Sequence, residues 1–99
     1  MVNYLLTKKA VEDLTNIWNY TFDQWSEQQA DNYYEMLISN FEEIANNPKL
    51  GKKYEGIKAD LLGLQTNKHI IFYRKITDKK VEITRVLHGT MDLKNRLLE

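Results

Sequence analysis

Two stretches of helical apolar periodicity follow one another with almost no linker, and this limits the fold of the 99-residue chain more than any other feature. In the first, Ala10, Val11, Leu14, Ile17, Trp18 and Trp25 recur at steps near multiples of the helical turn, which predicts an amphipathic helix over 8–24. Thr7 stands where an N-cap belongs, its hydroxyl placed to accept a free backbone N–H. Ser26-Glu27-Gln28-Gln29 is a Ser-x-x-Gln capping box with an acid in the first turn, so the chain restarts there as a second helix. Ala30, Tyr33, Tyr34, Leu37, Ile38, Phe41, Ile44 and Ala45 keep the period up to Asn46-Asn47-Pro48. Pro48, the only proline, disfavours helical geometry in the residue before it. Two such helices form a hairpin and must bury their apolar stripes against a further layer.

The rest of the chain supplies that layer. Val2–Leu6 is short and rich in Val, Tyr and Leu, and reads as a first strand. The segment Lys49–Asn67, with Gly51, Gly56 and Gly63 and no clear period, reads as a loop leading into a short strand near Leu61–Gln65. His69–Arg74 is β-branched and aromatic, the composition of a strand buried on both faces. Val81–His88 is its antiparallel partner across the polar turn Thr77-Asp78-Lys79-Lys80. Gly89 ends the sheet, and Met91–Leu98 reads as a short helix or a loose tail. The expected order is β-α-α-β-β-β. It makes a single α+β domain over residues 1–99, with the helical hairpin packed on one face of a small, mainly antiparallel sheet.

Several functions are excluded at this level. No apolar run approaches the roughly 18 residues of a membrane span. The opening MVNYLLTKKA places its basic pair after the apolar stretch, the reverse of a secretory signal. Without cysteine there is no thiolate nucleophile, disulfide or Cys-type zinc site, and the two histidines, His69 and His88, are too few for a histidine-rich metal site. Neither a glycine-rich phosphate loop nor GxSxG occurs. The carboxylate pairs Glu12-Asp13 and Glu42-Glu43 are helical neighbours pointing roughly 100° apart, so neither converges on one substrate atom. The expectation is a cytoplasmic binding module with no catalytic residue, metal or cofactor.

Its charge is divided. The formal net charge is zero, which argues against a general nucleic-acid binder. Residues 1–48 nevertheless carry two lysines against eight acids, a net of −6, and residues 49–99 carry twelve Lys/Arg against six acids, a net of +6. The halves either attract each other or present one basic surface to an anionic partner. Period-two alternation puts Arg85 on the face of Val81, Ile83 and Leu87, where a charge needs an internal acid or an opening. His88, beside Gly89, is a recognition residue or base, or else a strand-end histidine bonded to backbone. Arg74, Lys75, Lys79 and Lys80 surround the hairpin turn, the usual place for charges that blunt a sheet edge. Trp18, Tyr20, Trp25, Tyr33 and Tyr34 are more rings than two helices can hide, and an exposed remainder marks a partner groove.

Tyr4-x-Leu6-Thr7-x-x-Ala10-x-x-Asp13-Leu14-x-x-Ile17-Trp18-x-Tyr20-Thr21 resembles the opening of ParE toxins, within the RelE/ParE superfamily. Trp25, Gln29-Ala30, Tyr33, Phe41, Ile44-Ala45, Asn47-Pro48 and Gly51 continue the likeness. Its densest part is His69-x-Ile71-Phe72-Tyr73-Arg74 followed by Val81-x-Ile83-x-Arg85-Val86-Leu87-His88-x-x-Met91-Asp92. The resemblance implies the RelE/ParE-like fold and the toxin component of a bacterial type II toxin–antitoxin module. Such a toxin inhibits DNA gyrase by binding, serves plasmid or chromosomal stability loci, and is neutralised by a ParD-like antitoxin. On this reading the expected antitoxin contacts are Trp18, Tyr34, Arg74 and Arg85, and the expected target contacts are Arg85, His88, Met91 and Asp92. Sequence-specific nucleic-acid binding is not implied; assembly as a homodimer or as a toxin–antitoxin hetero-oligomer is left open. Two alternatives stand beside this reading. One is a RelE-like ribosome-dependent mRNA endoribonuclease using Lys52, Lys53, Arg74 and Arg85; the other is an inactive interaction module. No tyrosine follows Tyr73, which leaves the ribonuclease set incomplete, and Leu61-Leu62-Gly63-Leu64 lacks the arginine that ParE relatives often carry there.

Overall fold

Both helices form where the periodicity places them. In a computed structural model that describes residues 3–54, 57–90 and 92–98, α1 spans Lys8–Gln24 and α2 spans Glu27–Asn46. The Thr7 hydroxyl accepts from the Ala10 N–H at 3.1 Å and the Ser26 hydroxyl from the Gln29 N–H, also at 3.1 Å, so each cap satisfies one orphan donor. Pro48 opens a single 3₁₀ turn, Pro48–Leu50, immediately after α2 ends.

The sheet has five strands in the order β1-β5-β4-β3-β2, with β1 at Tyr4–Leu6, β2 at Lys52–Lys53, β3 at Leu62–Thr66, β4 at His69–Thr77 and β5 at Lys80–His88. All pairings are antiparallel except β1 with β5, which the intervening hairpin makes parallel. The two-residue β2, inside the segment expected to be loop, is too short to register as a period. It exists because Gly51 and Gly63 let the backbones approach: a Cβ on Gly51 would lie 2.6 Å from the Tyr73 hydroxyl. That hydroxyl accepts from the Gly51 N–H at 2.8 Å and donates to the Pro48 carbonyl at 2.7 Å, which ties the end of α2 to β4.

Helices and sheet share one core: Ala10 and Leu14 of α1, Leu37, Phe41, Ile44 and Ala45 of α2, and Ile71, Tyr73, Val81, Ile83 and Val86 of the sheet. Each of the larger side chains contributes about 1.5–3 kcal/mol by leaving water. The helical hairpin does cover one face, as expected, but the other face is not bare. A short α3, Leu93–Leu97, and the segment holding Tyr54, Ile57 and Leu61 lay Leu97, Leu61, Tyr54 and Ile57 over Ile70, Phe72 and Leu87. This second cluster explains why β4 is apolar on both sides.

A register shift corrects the expected position of Arg85. Phe72 pairs with Arg85 while Tyr73 pairs with Ile83, so Thr84 is an extra residue and the alternation breaks there. Cross-strand partners share a face, so Arg85 sits with Phe72 on the α3 side, away from Val81 and Ile83. Past Ile83 the edge of β5 has no strand beside it, and α1 takes its place. The Thr7 N–H donates to the Ile83 carbonyl, the Thr7 hydroxyl to the Thr84 carbonyl at 2.7 Å, and the Val86 N–H to Asp13 at 3.0 Å.

Candidate functional site

α1 carries two apolar stripes. Ala10 and Leu14 turn to the sheet and are buried, while Val11 and Trp18, one position further round, turn outward. With Leu6 behind them and Asp31 and Tyr34 of α2 opposite, they line a groove of about 500 Å3. The Trp18 indole N–H donates to Asp31 at 3.0 Å and its ring stacks on Phe22 at 5.3 Å, so this side chain is held in place before any partner arrives. Val11 is 47% exposed and Tyr34 41%, and the stripe runs on to Phe22 and to Trp25, which is 70% exposed. Val11 and Trp25 are thus outside the core stripe to which their spacing assigned them. The exposed rings expected from the aromatic excess are present, Tyr20 among them.

The candidate partner residues fall into separate places. Trp18 and Tyr34 meet in the groove. Arg74 and Arg85 do not reach it; they line a second pocket of about 540 Å3, on the other side of the first turn of α1, with Lys8, Lys9 and Lys58. Arg74 is exposed and its Nε donates to Glu82 at 2.8 Å. Arg85 is nearly buried. Its guanidinium grips Asp13 through two hydrogen bonds, of 2.8 and 3.1 Å, and donates a third to the Arg96 carbonyl at 2.9 Å. It therefore joins β5, α1 and α3, the internal partner that its charge required. Lys52 stands on the same rung as Arg85 but at the far edge of the sheet, through Gly63 and Phe72. Three strand spacings separate the two backbones there by about 14 Å.

At the sheet end, His88 accepts from the Thr90 N–H at 3.2 Å and contacts the Thr90 hydroxyl at 2.7 Å, the strand-end arrangement bonded to backbone. The sequence gives no sign of its other neighbour. His69 pairs with it across the strands, with the rings 5.3 Å apart and edge to face, and Tyr33 of α2 bonds the His69 Nδ1 at 2.6 Å. Only the hairpin register could have revealed this trio. Asp92 caps α3, accepting from the Asn95 N–H and, at 2.6 Å, from the Asn95 side-chain amide. Met91 lies outside the described residues.

Burial pushes the His69 imidazole down to about 4, helped by His88 and opposed by the charge of Asp13. A base whose folded pKa lies below its unfolded value, about 6.5, is protonated first in the unfolded chain. Stability is therefore complete above that pH and falls as the pH drops toward 4. Solvent screening of a half-buried ring limits the loss to about 1–2 kcal/mol. Thermal melts at stepped pH should show the wild-type chain losing stability faster than His69→Gln over this window; parallel curves would refute the assignment.

Among the described residues no three potential ligands gather to hold a metal ion, and no helix is long and apolar enough to cross a membrane.

Comparison with known proteins gives a consistent result. Residues 4–93 match the family described as ParE toxin of type II toxin-antitoxin system, parDE. The chain is 35% identical over 97 residues to Toxin ParE1 of Caulobacter vibrioides, covering 98% of this chain and 99% of that one. It is 33% identical over 94 residues to Toxin ParE1 of Mycobacterium tuberculosis, covering 95% and 96%. The fold matches a chain of the chromosomal ParDE TA system from P. aeruginosa with a TM-score of 0.72 at 16% identity, over 89% of this chain and 96% of that one.

Proposed function

The chain belongs to the ParE toxin family of type II toxin–antitoxin systems, and on that premise we propose that it binds and inhibits DNA gyrase, with no covalent step of its own, until a small cognate antitoxin neutralises it. Both would act in the bacterial cytoplasm. The observation that carries the neutralisation is the apolar groove between α1 and α2, with Trp18 held ready at its centre. A segment of the antitoxin, disordered when free, folds as a helix along Val11, Trp18 and Tyr34 and buries their apolar surface. Acidic residues following that helix meet the basic sheet edge around the β4–β5 turn, at Arg74, Lys75, Lys79 and Lys80, which raises the association rate more than the affinity.

For the target surface we assign the sheet end and tail, with His88 and Asp92 as contacts, Met91 beside them in the sequence, and Arg85 as the residue that positions α3. The test is a gyrase supercoiling and DNA-cleavage assay with the purified chain, with and without ATP. Lost supercoiling or gyrase-dependent linear DNA is the expected result. A folded chain that leaves both reactions untouched would overturn the choice of target. No particular observation favours mRNA cleavage, since Arg85 is committed to Asp13 and Lys52 stands across the sheet from it.

A further inference from the structure

The second pocket differs in kind from the groove. Lys8 and Lys9 are the only cations before Lys49, and both line it, so the acidic half of the chain lends its two positive charges to the basic layer. Lys58 and Arg74 join them. Among the described residues, the side chains of Lys8, Lys9 and Lys58 make no ion pair or hydrogen bond, and Arg74 uses only its Nε, on Glu82. The lining holds five cations, Arg85 included, against the two carboxylates Asp60 and Glu82. With Asp13 also set against Arg85, two positive charges remain uncompensated.

We infer that this pocket binds the phosphodiester backbone of DNA without reading its bases. Three features select that ligand. The open cations are chiefly lysines, point charges that neutralise phosphates without demanding a fixed geometry. The Arg85 fork, the group here that would grip a carboxylate best, is already held by Asp13 through two hydrogen bonds, and Arg74 spends its Nε on Glu82, so the open charge of the pocket is that of its lysines. No aromatic ring lines the pocket, so nothing stacks on a base and the contact carries no sequence preference. The pocket shares no lining residue with the apolar groove, which leaves the antitoxin helix and DNA separate places on the molecule. The inference goes beyond the gyrase reading and does not require it. A toxin seated on gyrase would use this pocket to hold the DNA that the enzyme has bound.

The test leaves gyrase out. Fluorescence anisotropy of a short labelled duplex, and of its single strand, is titrated with the full chain at several salt concentrations. Expected is weak binding of both, with Kd on the order of 10–100 μM at low salt. The slope of log K against log salt should be about −3 to −4, from four cations at about 0.9 each. Lys8→Gln/Lys9→Gln/Lys58→Gln should weaken binding by about tenfold or more and flatten the slope by about 2–3. Lys52→Gln/Lys68→Gln/Lys94→Gln, with the same net charge, should lose far less. Absence of salt-dependent binding, or equal losses in the two variants, overturns the proposal. Displacement by a polyglutamate peptide as readily as by unlabelled DNA at equal charge would assign the pocket to an acidic protein segment and also overturn it. A chain that binds DNA here yet leaves supercoiling untouched would fail only the gyrase reading.

Discussion

Asp13→Ala should lower the free energy of unfolding by about 3 kcal/mol, because it leaves a nearly buried guanidinium without its counter-ion. Two losses combine. Asp13 accepts two hydrogen bonds from Arg85 and a third from the Val86 N–H, and both side chains in the pair keep little exposure, 13% for Arg85 and 12% for Asp13. For a domain of this size the expected fall in Tm is about 12–24 °C. Asp13→Asn, which still offers the Val86 N–H an acceptor, should lose about half as much. Arg85→Met in the Asp13→Ala background should cost less than the sum of the single changes, since no lone charge then remains. A melt for Asp13→Ala within a few degrees of wild type would mean that water already satisfies the pair. The same side chain bears on function. An Arg85→Ala chain that folds, stays fully toxic and still binds antitoxin would remove Arg85 from both partner surfaces.

Val11→Asp should reduce antitoxin affinity by about 2–4 kcal/mol, roughly 30- to 1,000-fold, while leaving gyrase inhibition unchanged. It places a charge in the groove where an apolar helix would have to desolvate it. Val11 is half exposed and outside the core cluster, so the fold should survive. Trp18→Ala tests the same groove, but it also loses the stacking on Phe22 and the hydrogen bond to Asp31 within the free toxin. Co-expression gives the cellular readout: the Val11→Asp toxin should escape an antitoxin that silences the wild type. Unchanged affinity in a folded variant would place the antitoxin helix elsewhere.

The groove was only partly legible beforehand. Trp18 and Tyr34 stood out as surplus rings, but Leu6 and Asp31 carry no local sign that they face Trp18, because they come from other elements. A second apolar stripe on α1, offset by one position from the core stripe, was the usable signal for Val11; the spacing merged it with the core instead. Family membership was legible as an ordered set of short matches from Tyr4 to Asp92, none specific alone. The basic pocket was not legible. Its lysines lie some fifty residues apart, and only the packing of α1 along the free edge of β5 brings them together.

Helix positions, their caps, the stop at Pro48 and the β4–β5 hairpin were determined by the sequence alone, because each depends on residues within one or two turns of each other: periodicity, a hydroxyl beside a free N–H, a polar turn between apolar runs. What required the tertiary structure was every pairing between distant segments. The parallel β1–β5 contact, the extra residue at Thr84 that turns Arg85 to the α3 side, the Asp13–Arg85 bond across 72 residues and the facing of His69 with His88 are of this kind. These depend on how strands of fixed spacing align once the core has closed. A one-residue shift in register moves a side chain to the opposite face without changing any local pattern.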